Sequence, residues 1–397
     1  MADKNPPVIT LFENGVRLVN VSNRLLSASQ VGFLRGTRND PVSFIGMAHA
    51  VEHLFCRGAS PRVVARWARR YPERPQPISA RQADRMFRRY FGGSSGSGIN
   101  VHTEHSYTGY GHQDLFHARH RNEVFQIMAG MVRDAMYDIR DMRNRDDAIV
   151  NARALSVERS AVDNETGLND EWPGMAGYRA ALRALYTTNP ARHWGDSDPE
   201  QLARVKVGTM KQWAQVNCVP ATMCVVLIGP NQHDAVRMVR DARLNELPPW
   251  PATSWSYNRS DDVPVLTDIR RITTDRSGAT MHHVCMLWPT ETFSTRDAFA
   301  LEVLEGILKD RIDAALREGN LVHPGGIYHS DVVWDCSSSH GVMLVEFATR
   351  GDRAHCEYLI ERMLDVISDI VSGPSSELEE DVEDATFFLA HLFLEHY

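Results

Sequence analysis

The chain has 397 residues, of which 43% are hydrophobic and 24% are charged, a balance typical of a globular protein with room for about two to four domains. Its net charge of −8 argues against nucleic-acid binding, and no apolar run approaches the roughly 18 residues of a membrane span. The start of the chain, MADKNPPV, shows no signal or transit pattern, and the six cysteines are scattered without a C-x-x-C pair. We therefore expect reduced thiols and an intracellular, cytoplasmic protein that does not insert into membranes.

The predicted elements fall into two halves, and each half begins with strands that are followed by helices. The first half contains predicted strands at 16–20 and 30–34, a helix at 45–56, a strand pair at 99–110, helices near 120–138, 145–170 and 175–188, and a buried strand at 221–229. The second half contains predicted strands near 268–273, 280–287, 327–334 and 341–348, and helices near 295–318, 353–372 and 376–394.

This order predicts an α+β fold of two similar, duplicated domains, each a mostly antiparallel sheet with helices packed on one face. Residues 246–265 are rich in Pro, Ser and Asp and lack periodicity, which is typical of a linker. We expect an N-terminal domain at 1–245 and a related, shorter C-terminal domain at 266–397.

One short motif in the first predicted helix carries chemistry. His49, Glu52 and His53 form H-x-x-E-H. Positions i and i+4 share a helix face, so both imidazoles can point at one metal ion, and the carboxylate at i+3 lies beside them as a base for a metal-activated water. The reversed H-E-x-x-H pattern is typical of inverzincins, although a helical histidine pair is also often packed or solvated.

A catalytic zinc site needs a third protein ligand. Glu158 and Glu165 lie seven residues apart, two turns along one face of a predicted helix. The spacing alone also fits a charged, solvent-exposed face of the helix, so it does not identify the third ligand.

Longer motifs resemble the pitrilysin/insulysin family of zinc metallopeptidases, which includes the mitochondrial processing peptidases. The resemblance covers nearly all of residues 8–395. The matching segments are Gly36-Thr37-Arg38-Asn39, Gly46 to His53, Gly58-Ala59, a Gly-rich turn at Gly92–Gly98 followed by Asn100 to Ser106, the glutamate pair in ERSAVDNE, and Val219 to Gly229.

The resemblance implies the roles of these residues. His49, His53 and Glu165 would hold one Zn²⁺ per chain, Glu158 would support a zinc-bound histidine, and Glu52 would be the general base. The substrate backbone would pair with an edge strand formed by Asn100, Val101, His102 and Thr103. In the second half, Arg317 and Tyr328 match residues that grip the substrate, although the gap between them is longer than in the family.

We therefore predict a zinc-dependent endopeptidase that cleaves extended peptides or flexible segments. Since the family's half-units face each other in pairs and this chain has one H-x-x-E-H, we expect a homodimer or a heteromeric partner half-unit. The alternatives are a non-catalytic structural or assembly subunit of the same fold, or a dedicated viral or peptide-maturation processing protease.

Two features remain outside this assignment. Nine arginines fall between Arg62 and Arg89, within a stretch at 60–91 that is absent from the usual family pattern. It fits a solvated helical hairpin beside the cleft, or a basic exosite for acidic peptides or RNA. The histidines at 102, 105, 112, 117 and 120 have spacings typical of strand surfaces rather than of a second metal site.

Overall fold

A computed structural model describes most of the chain, and its residues divide into two compact units. The first unit is Met1–Thr166 with Gly195–Tyr257, and the second is Gly167–Trp194 with Asn258–Tyr397. The described residues are 6–23, 27–41, 43–57, 100–113, 121–142, 148–171, 173–186, 199–251, 271–272, 280–292, 297–320, 327–336, 341–373 and 376–396.

The first unit is built on a six-stranded sheet. Its strands are β1 (Val8–Leu11), β2 (Arg17–Val21), β3 (Ala28–Phe33), β4 (Asn100–Thr103), β5 (Thr108–Gln113) and β6 (Met223–Ile228). Their spatial order is β1-β2-β6-β3-β5-β4, and every neighbouring pair is antiparallel except β2 with β6. Gly15 has φ of 94° in the turn between β1 and β2, a conformation that favours glycine.

Helices cover one face of this sheet. They are α1 (Met47–Arg57), α2 (Arg121–Asp138), α3 (Ala152–Glu171), α5 (Pro199–Arg204), α6 (Val207–Asn217) and α7 (Gln232–Asp241). Along β6, Met223, Val225 and Leu227 are buried while the residues between them are half-buried. This period of two is the pattern of a strand with one face against a core.

The second unit has a three-stranded antiparallel sheet of order β7-β9-β8. Its elements are β7 (His282–Thr290), β8 (Ile327–Cys336), β9 (Gly341–Thr349), α4 (Pro173–Leu185), α8 (Ala298–Asn320), α9 (Arg353–Val371) and α10 (Ser376–His396). One face of the sheet packs with α8 and α9 around Val345, Phe347 and Leu359. The other face packs with α4, through Leu182 and Tyr186 against Val342 and Leu344. The central strand β9 is therefore buried on both faces.

The α+β fold class expected from the sequence is confirmed, since mostly antiparallel sheets carry packed helices in both units. The second sheet differs from the expected arrangement with helices on one face, because α4 packs on the face opposite to α8 and α9. The domain division differs in one segment, because 1–245 was expected to form one domain and Gly167–Trp194 groups with the second unit. The apolar side of α4 has its partners on β7 and β9, which explains the difference.

The expected linker at 246–265 begins inside the first unit, because Leu247 is buried there and Trp250 packs against its core. Residues 252–265, the arginine-rich stretch at 60–91, Gly58-Ala59 and Gly92–Gly98 lie outside the described residues. Among the residues that the structure describes, no helix combines the length and the apolar character needed to cross a membrane.

Candidate metal centre and active site

The position of α1 is fixed at its start by a carboxylate from the preceding loop. The side chain of Asp40 accepts hydrogen bonds from the backbone N–H groups of Gly46 and Ala48, each at 2.8 Å. These donors would otherwise lack partners at a helix start. Burial raises the pKa of Asp40 to about 8, although the hydrogen bonds from Ala48 and Gly46 oppose this shift. Gly46 has φ of 93°, a left-handed conformation in which other residues are strained.

One aromatic side chain holds α1 against the sheet. Phe55 is fully buried, with its ring centroid 6.1 Å from that of Phe33 on β3 and 6.2 Å from that of Tyr110 on β5. Because this side of α1 is anchored in the core, the half-buried His49 and His53 project from another side.

The structure brings three potential metal ligands together. His49 Nε2 lies 3.2 Å from His53 Nε2 and 3.2 Å from Glu165 Oε2, and His53 Nε2 lies 3.3 Å from the same Glu165 oxygen. Ligand bonds of about 2.0 Å at tetrahedral angles place neighbouring donor atoms about 3.3 Å apart. The triangle of donor atoms therefore has the dimensions of one face of a tetrahedral zinc site. Of the described residues, these three form the group that meets the spacing required for one ion.

A second glutamate orients one of the imidazoles. Glu158 Oε2 lies 3.2 Å from His53 Nδ1, so an N–H at Nδ1 donates to the carboxylate and leaves Nε2 facing His49 and Glu165. Such carboxylate partners fix the tautomer of metal-binding histidines. Burial acts to lower the pKa of His53, but the Glu158 hydrogen bond and the nearby glutamate charges outweigh it and raise the pKa.

The other imidazole is shifted in the opposite direction. Burial, followed by the charge of His53, lowers the pKa of His49 although Glu165 opposes this shift. The neutral form of His49 is favoured, and that is the form that binds metals.

Glu52 lies on the same helix in a buried position. Glu52 is 3% exposed, and its Oε2 has no hydrogen-bond partner among the described residues. Burial raises the pKa of Glu52 to about 7, while a hydrogen bond from Thr103 on β4 opposes the shift. A carboxylate with an unused oxygen and a pKa near neutrality is suited to accept a proton from a water molecule.

The segment Asn100–Thr103 forms β4, the last strand in the order of the first sheet. It pairs with β5, and no other described strand pairs with its outer side. Val101 packs against the core, so the alternation of a strand places His102 on the opposite face. There His102 Nε2 lies 3.1 Å from the Tyr107 hydroxyl and 3.3 Å from Gln30 Nε2.

The two residues expected from the second half lie in the second unit. Arg317 donates from Nε to Asp313 at 2.7 Å, and its side chain is 77% exposed. Tyr328 is 75% exposed and sits at an irregularity in the pairing of β8, where the register shifts between Ile327 and His329. Bulges of this kind redirect side chains. The roles of Arg317 and Tyr328 stay predictions.

The contribution of Asp40 was not foreseen. A helix-capping side chain normally stands directly before the first turn, and Asp40 is six residues before Gly46. The Asn39-Asp40-Pro41 sequence predicts a turn, but the return of the chain onto its own carboxylate is visible in three dimensions alone.

Comparisons with known proteins relate the fold to a group of peptidases. No protein-family model matches the sequence, and no curated protein matches it significantly. A protease from Helicobacter pylori matches with a TM-score of 0.73 at 13% identity, over 98% of this chain and 85% of that chain. The peptidase M16 inactive domain from Pseudomonas fluorescens matches with a TM-score of 0.69 at 15% identity, over 97% and 84%. The chain has the fold of M16-type peptidases.

The periplasmic protease PqqL from Escherichia coli shares this M16-type fold, with a TM-score of 0.62 at 14% identity, over 97% of this chain and 39% of PqqL. These neighbours have the fold that the motifs led us to expect. At such identities the likeness shows the fold, and one of the neighbours is an inactive domain.

Proposed function

We propose that this protein is a zinc-dependent endopeptidase. The observation that carries the proposal is the triangle of donor atoms from His49, His53 and Glu165, with sides of 3.2–3.3 Å. The donor set of two imidazoles and one carboxylate is typical of catalytic zinc, which keeps a fourth position open. The unused oxygen of buried Glu52 supplies a base on the same helix.

Each residue has a defined part in peptide hydrolysis. The chemistry that Zn²⁺ supplies when bound at this triangle is Lewis-acid polarisation of a water molecule and of the scissile carbonyl. Glu52 accepts a proton from the attacking water and delivers it to the nitrogen of the departing amine. Glu158 holds the His53 ring so that Nε2 faces the metal position. Thr103 donates to Glu52 and links the base to β4.

The outer edge of β4, with which no described strand pairs, suggests how the substrate binds. An extended peptide can add to an open strand edge through main-chain hydrogen bonds, which favours unfolded or flexible segments over folded proteins. The contact between Glu52 and Thr103 places this edge beside the general base. Asn100, Val101, His102 and Thr103 would then align the scissile bond with the metal position.

Residues of the second unit and a partner chain would also take part in catalysis. Arg317 and Tyr328 would contribute donors that stabilise the oxyanion formed at the scissile carbonyl. A second copy or a heteromeric half-unit would complete the substrate chamber. This chain matches 39% of PqqL, a protease of greater length, which agrees with a half-unit that acts with a partner.

The rival function is a structural or assembly subunit without catalysis. The neighbour from Pseudomonas fluorescens is an inactive domain, so the fold does not require activity. The complete donor triangle and the buried Glu52 favour the enzyme in this chain.

The experiment compares cleavage of quenched, unstructured peptides by the wild type, Glu52→Gln and Glu200→Gln. Glu200 is an exposed glutamate of the same unit and serves as the matched control. We expect Glu52→Gln to lose at least about 100-fold in kcat with its zinc retained, and Glu200→Gln to keep full activity, because general-base catalysis contributes about 10²–10⁴-fold. Equal turnover by Glu52→Gln, or a wild type that binds no stoichiometric zinc, would exclude the zinc peptidase.

A further inference from the structure

Three side chains meet on the face of the first sheet that is opposite to its core. They are Gln30 on β3, His102 on β4, and Tyr107 in the turn between β4 and β5. Val31, which follows Gln30, is fully buried in the core. Val101, which precedes His102, also packs against the core. Since side chains alternate along a strand, Gln30 and His102 both lie on the opposite face.

Gly109 lets two of these side chains meet across β5. It pairs directly with His102, so both residues share a face of the sheet. A Cβ at this position would lie 2.2 Å from Gln30 Nε2 and 3.0 Å from His102 Cε1, so a larger residue would push the two side chains apart. The rings of His102 and Tyr107 pack edge to face, with centroids 5.2 Å apart at an angle of 85°. Packing therefore holds the imidazole in one orientation.

The contacts of His102 determine which ring nitrogen carries the proton. Gln30 Nε2, an amide nitrogen that can only donate, lies 3.3 Å from His102 Nε2, and the Tyr107 hydroxyl lies 3.1 Å from the same nitrogen. Burial and the charge of Glu104 raise the pKa of Tyr107, so this hydroxyl keeps its proton. Because two donors converge on Nε2, it acts as an acceptor, and neutral His102 carries its proton on Nδ1. The described residues provide no hydrogen-bond partner for Nδ1, so its N–H is available to a ligand.

A peptide that pairs with the outer edge of β4 would bring one side chain to this N–H. Residues directly opposite each other on neighbouring strands share a face and have Cβ atoms about 4.5–5.5 Å apart. Thr103 lies on the core side of β4, where it donates to Glu52. Peptide residues opposite Val101 and Thr103 would face the same side as the general base. The peptide residue between them would face His102.

We propose that His102 is a specificity-determining residue that selects an asparagine or glutamine in the peptide segment paired with β4. The inference rests on the proposed peptidase function, because it assigns a role to the same strand edge. The N–H at Nδ1 favours a side chain that accepts a hydrogen bond over an aliphatic one. The negative charge of Glu104, which acts on Tyr107 beside the imidazole, disfavours a carboxylate. The amide oxygen of asparagine or glutamine is a neutral acceptor and meets both conditions.

The test uses quenched, unstructured peptides in which Gln, Glu and Leu, three side chains of similar size, replace one another at each position in turn around the cleaved bond. We expect one position at which the zinc-loaded wild type prefers Gln to both others by about 3- to 10-fold in kcat/KM, the range of one neutral hydrogen bond. The Gln-to-Leu ratio should fall to about 1 in His102→Phe, which has a ring but no N–H. It should also fall in Tyr107→Phe, which loses one donor to Nε2. His233→Phe, at an exposed histidine on α7 of the same unit, is the matched control and should keep the ratio.

The outcomes separate this inference from the peptidase proposal, which is judged by zinc content and by Glu52→Gln. Equal kcat/KM for Gln and Leu peptides at every position, a preference for Glu over Gln, or a Gln preference that persists in folded His102→Phe would overturn the role of His102. Circular dichroism checks folding, and if His102→Phe does not fold, an unchanged ratio in Tyr107→Phe overturns it. If no peptide is cleaved, fluorescence anisotropy of the labelled peptides gives the same comparison as a ratio of Kd. A Gln preference in Kd that His102→Phe loses supports the selection, and equal Kd values overturn it.

Discussion

Glu158 and His53 form a carboxylate–imidazole pair in which Oε2 lies 3.2 Å from Nδ1, on the side of the ring opposite to the metal-facing nitrogen. Glu158→Gln keeps the size of the side chain but removes the charge that favours an N–H at Nδ1. We expect zinc affinity to fall about 10- to 100-fold, as for other carboxylate partners of metal-binding histidines. Competition with a chromophoric chelator measures this, and Asp163→Asn on the exposed side of α3 is the control. Unchanged affinity would contradict the orienting role.

Asp40 should contribute to the stability of the fold. Asp40→Asn keeps the shape but replaces one of the two oxygens that accept from Gly46 and Ala48 with an NH2 group, which cannot accept. Loss of such a capping interaction costs about 1–2 kcal/mol of unfolding free energy. Urea denaturation of the metal-free chain measures it, with the exposed variant Asp163→Asn for comparison. A loss no larger than that of the comparison variant would show that the start of α1 is held by other contacts.

The decrease of kcat/KM at low pH, the acid limb of the pH–rate profile, should reflect protonation of Glu52. The base must be deprotonated, so kcat/KM is expected to rise with pH and to level off above the pKa of Glu52. Burial raises that pKa to about 7, and the positive charge of a bound zinc ion would lower it. We expect an apparent pKa at or below about 7 in a pH–rate profile. An acid limb that persists unchanged in residual activity of Glu52→Gln would assign it to another group.

Thr103, on β4, should influence the pH at which this acid limb appears. Its hydrogen bond to Glu52 lowers the pKa of the carboxyl, so Thr103→Val should raise that pKa and move the acid limb to higher pH. Zinc content should stay unchanged, because the metal triangle does not include Thr103. pH–rate profiles of Thr103→Val and of the control variant Thr10→Val, on β1, measure this shift. A limb that stays in place, or moves to lower pH, would rule out the contact in solution.

The proposed catalytic role of the second unit is tested by substitution of Tyr328. If its hydroxyl stabilises the oxyanion, Tyr328→Phe should lower kcat by about 100-fold while KM changes little, as for other donors of this kind. Tyr328 is 75% exposed, so stability should not change. Unchanged kcat would remove Tyr328 from the catalytic site.

Local patterns predicted the helix of the site well. A helix-length run closed by Gly58 indicated a helix at 45–56, and α1 spans Met47–Arg57. The helix expected near 145–170 corresponds to α3, Ala152–Glu171. That Glu165 meets His49 could not be derived from spacing, because 116 residues separate them and an exposed charged stripe has the same pattern. The family motif supplied that pairing.

Features that depend on distant contacts were not predictable in this way. The amphipathic pattern of α4 indicated a helix, but its partners on β7 and β9 lie more than 90 residues away in sequence. The irregular register at Tyr328 arises from the pairing of β8 with β9. The preceding Pro324-Gly325-Gly326 sequence indicates a turn but does not specify a shift in strand register at Tyr328. The return of Asp40 onto the start of α1 is likewise a property of the folded chain.

The central claim is that one zinc ion is held by His49, His53 and Glu165. Anomalous scattering from crystals of the zinc-loaded chain, recorded on both sides of the zinc absorption edge, tests it most directly. The account predicts an anomalous peak about 2.0–2.2 Å from His49 Nε2, His53 Nε2 and a Glu165 carboxylate oxygen. The absence of a zinc peak at these three atoms, in a chain that cleaves peptides, would contradict it.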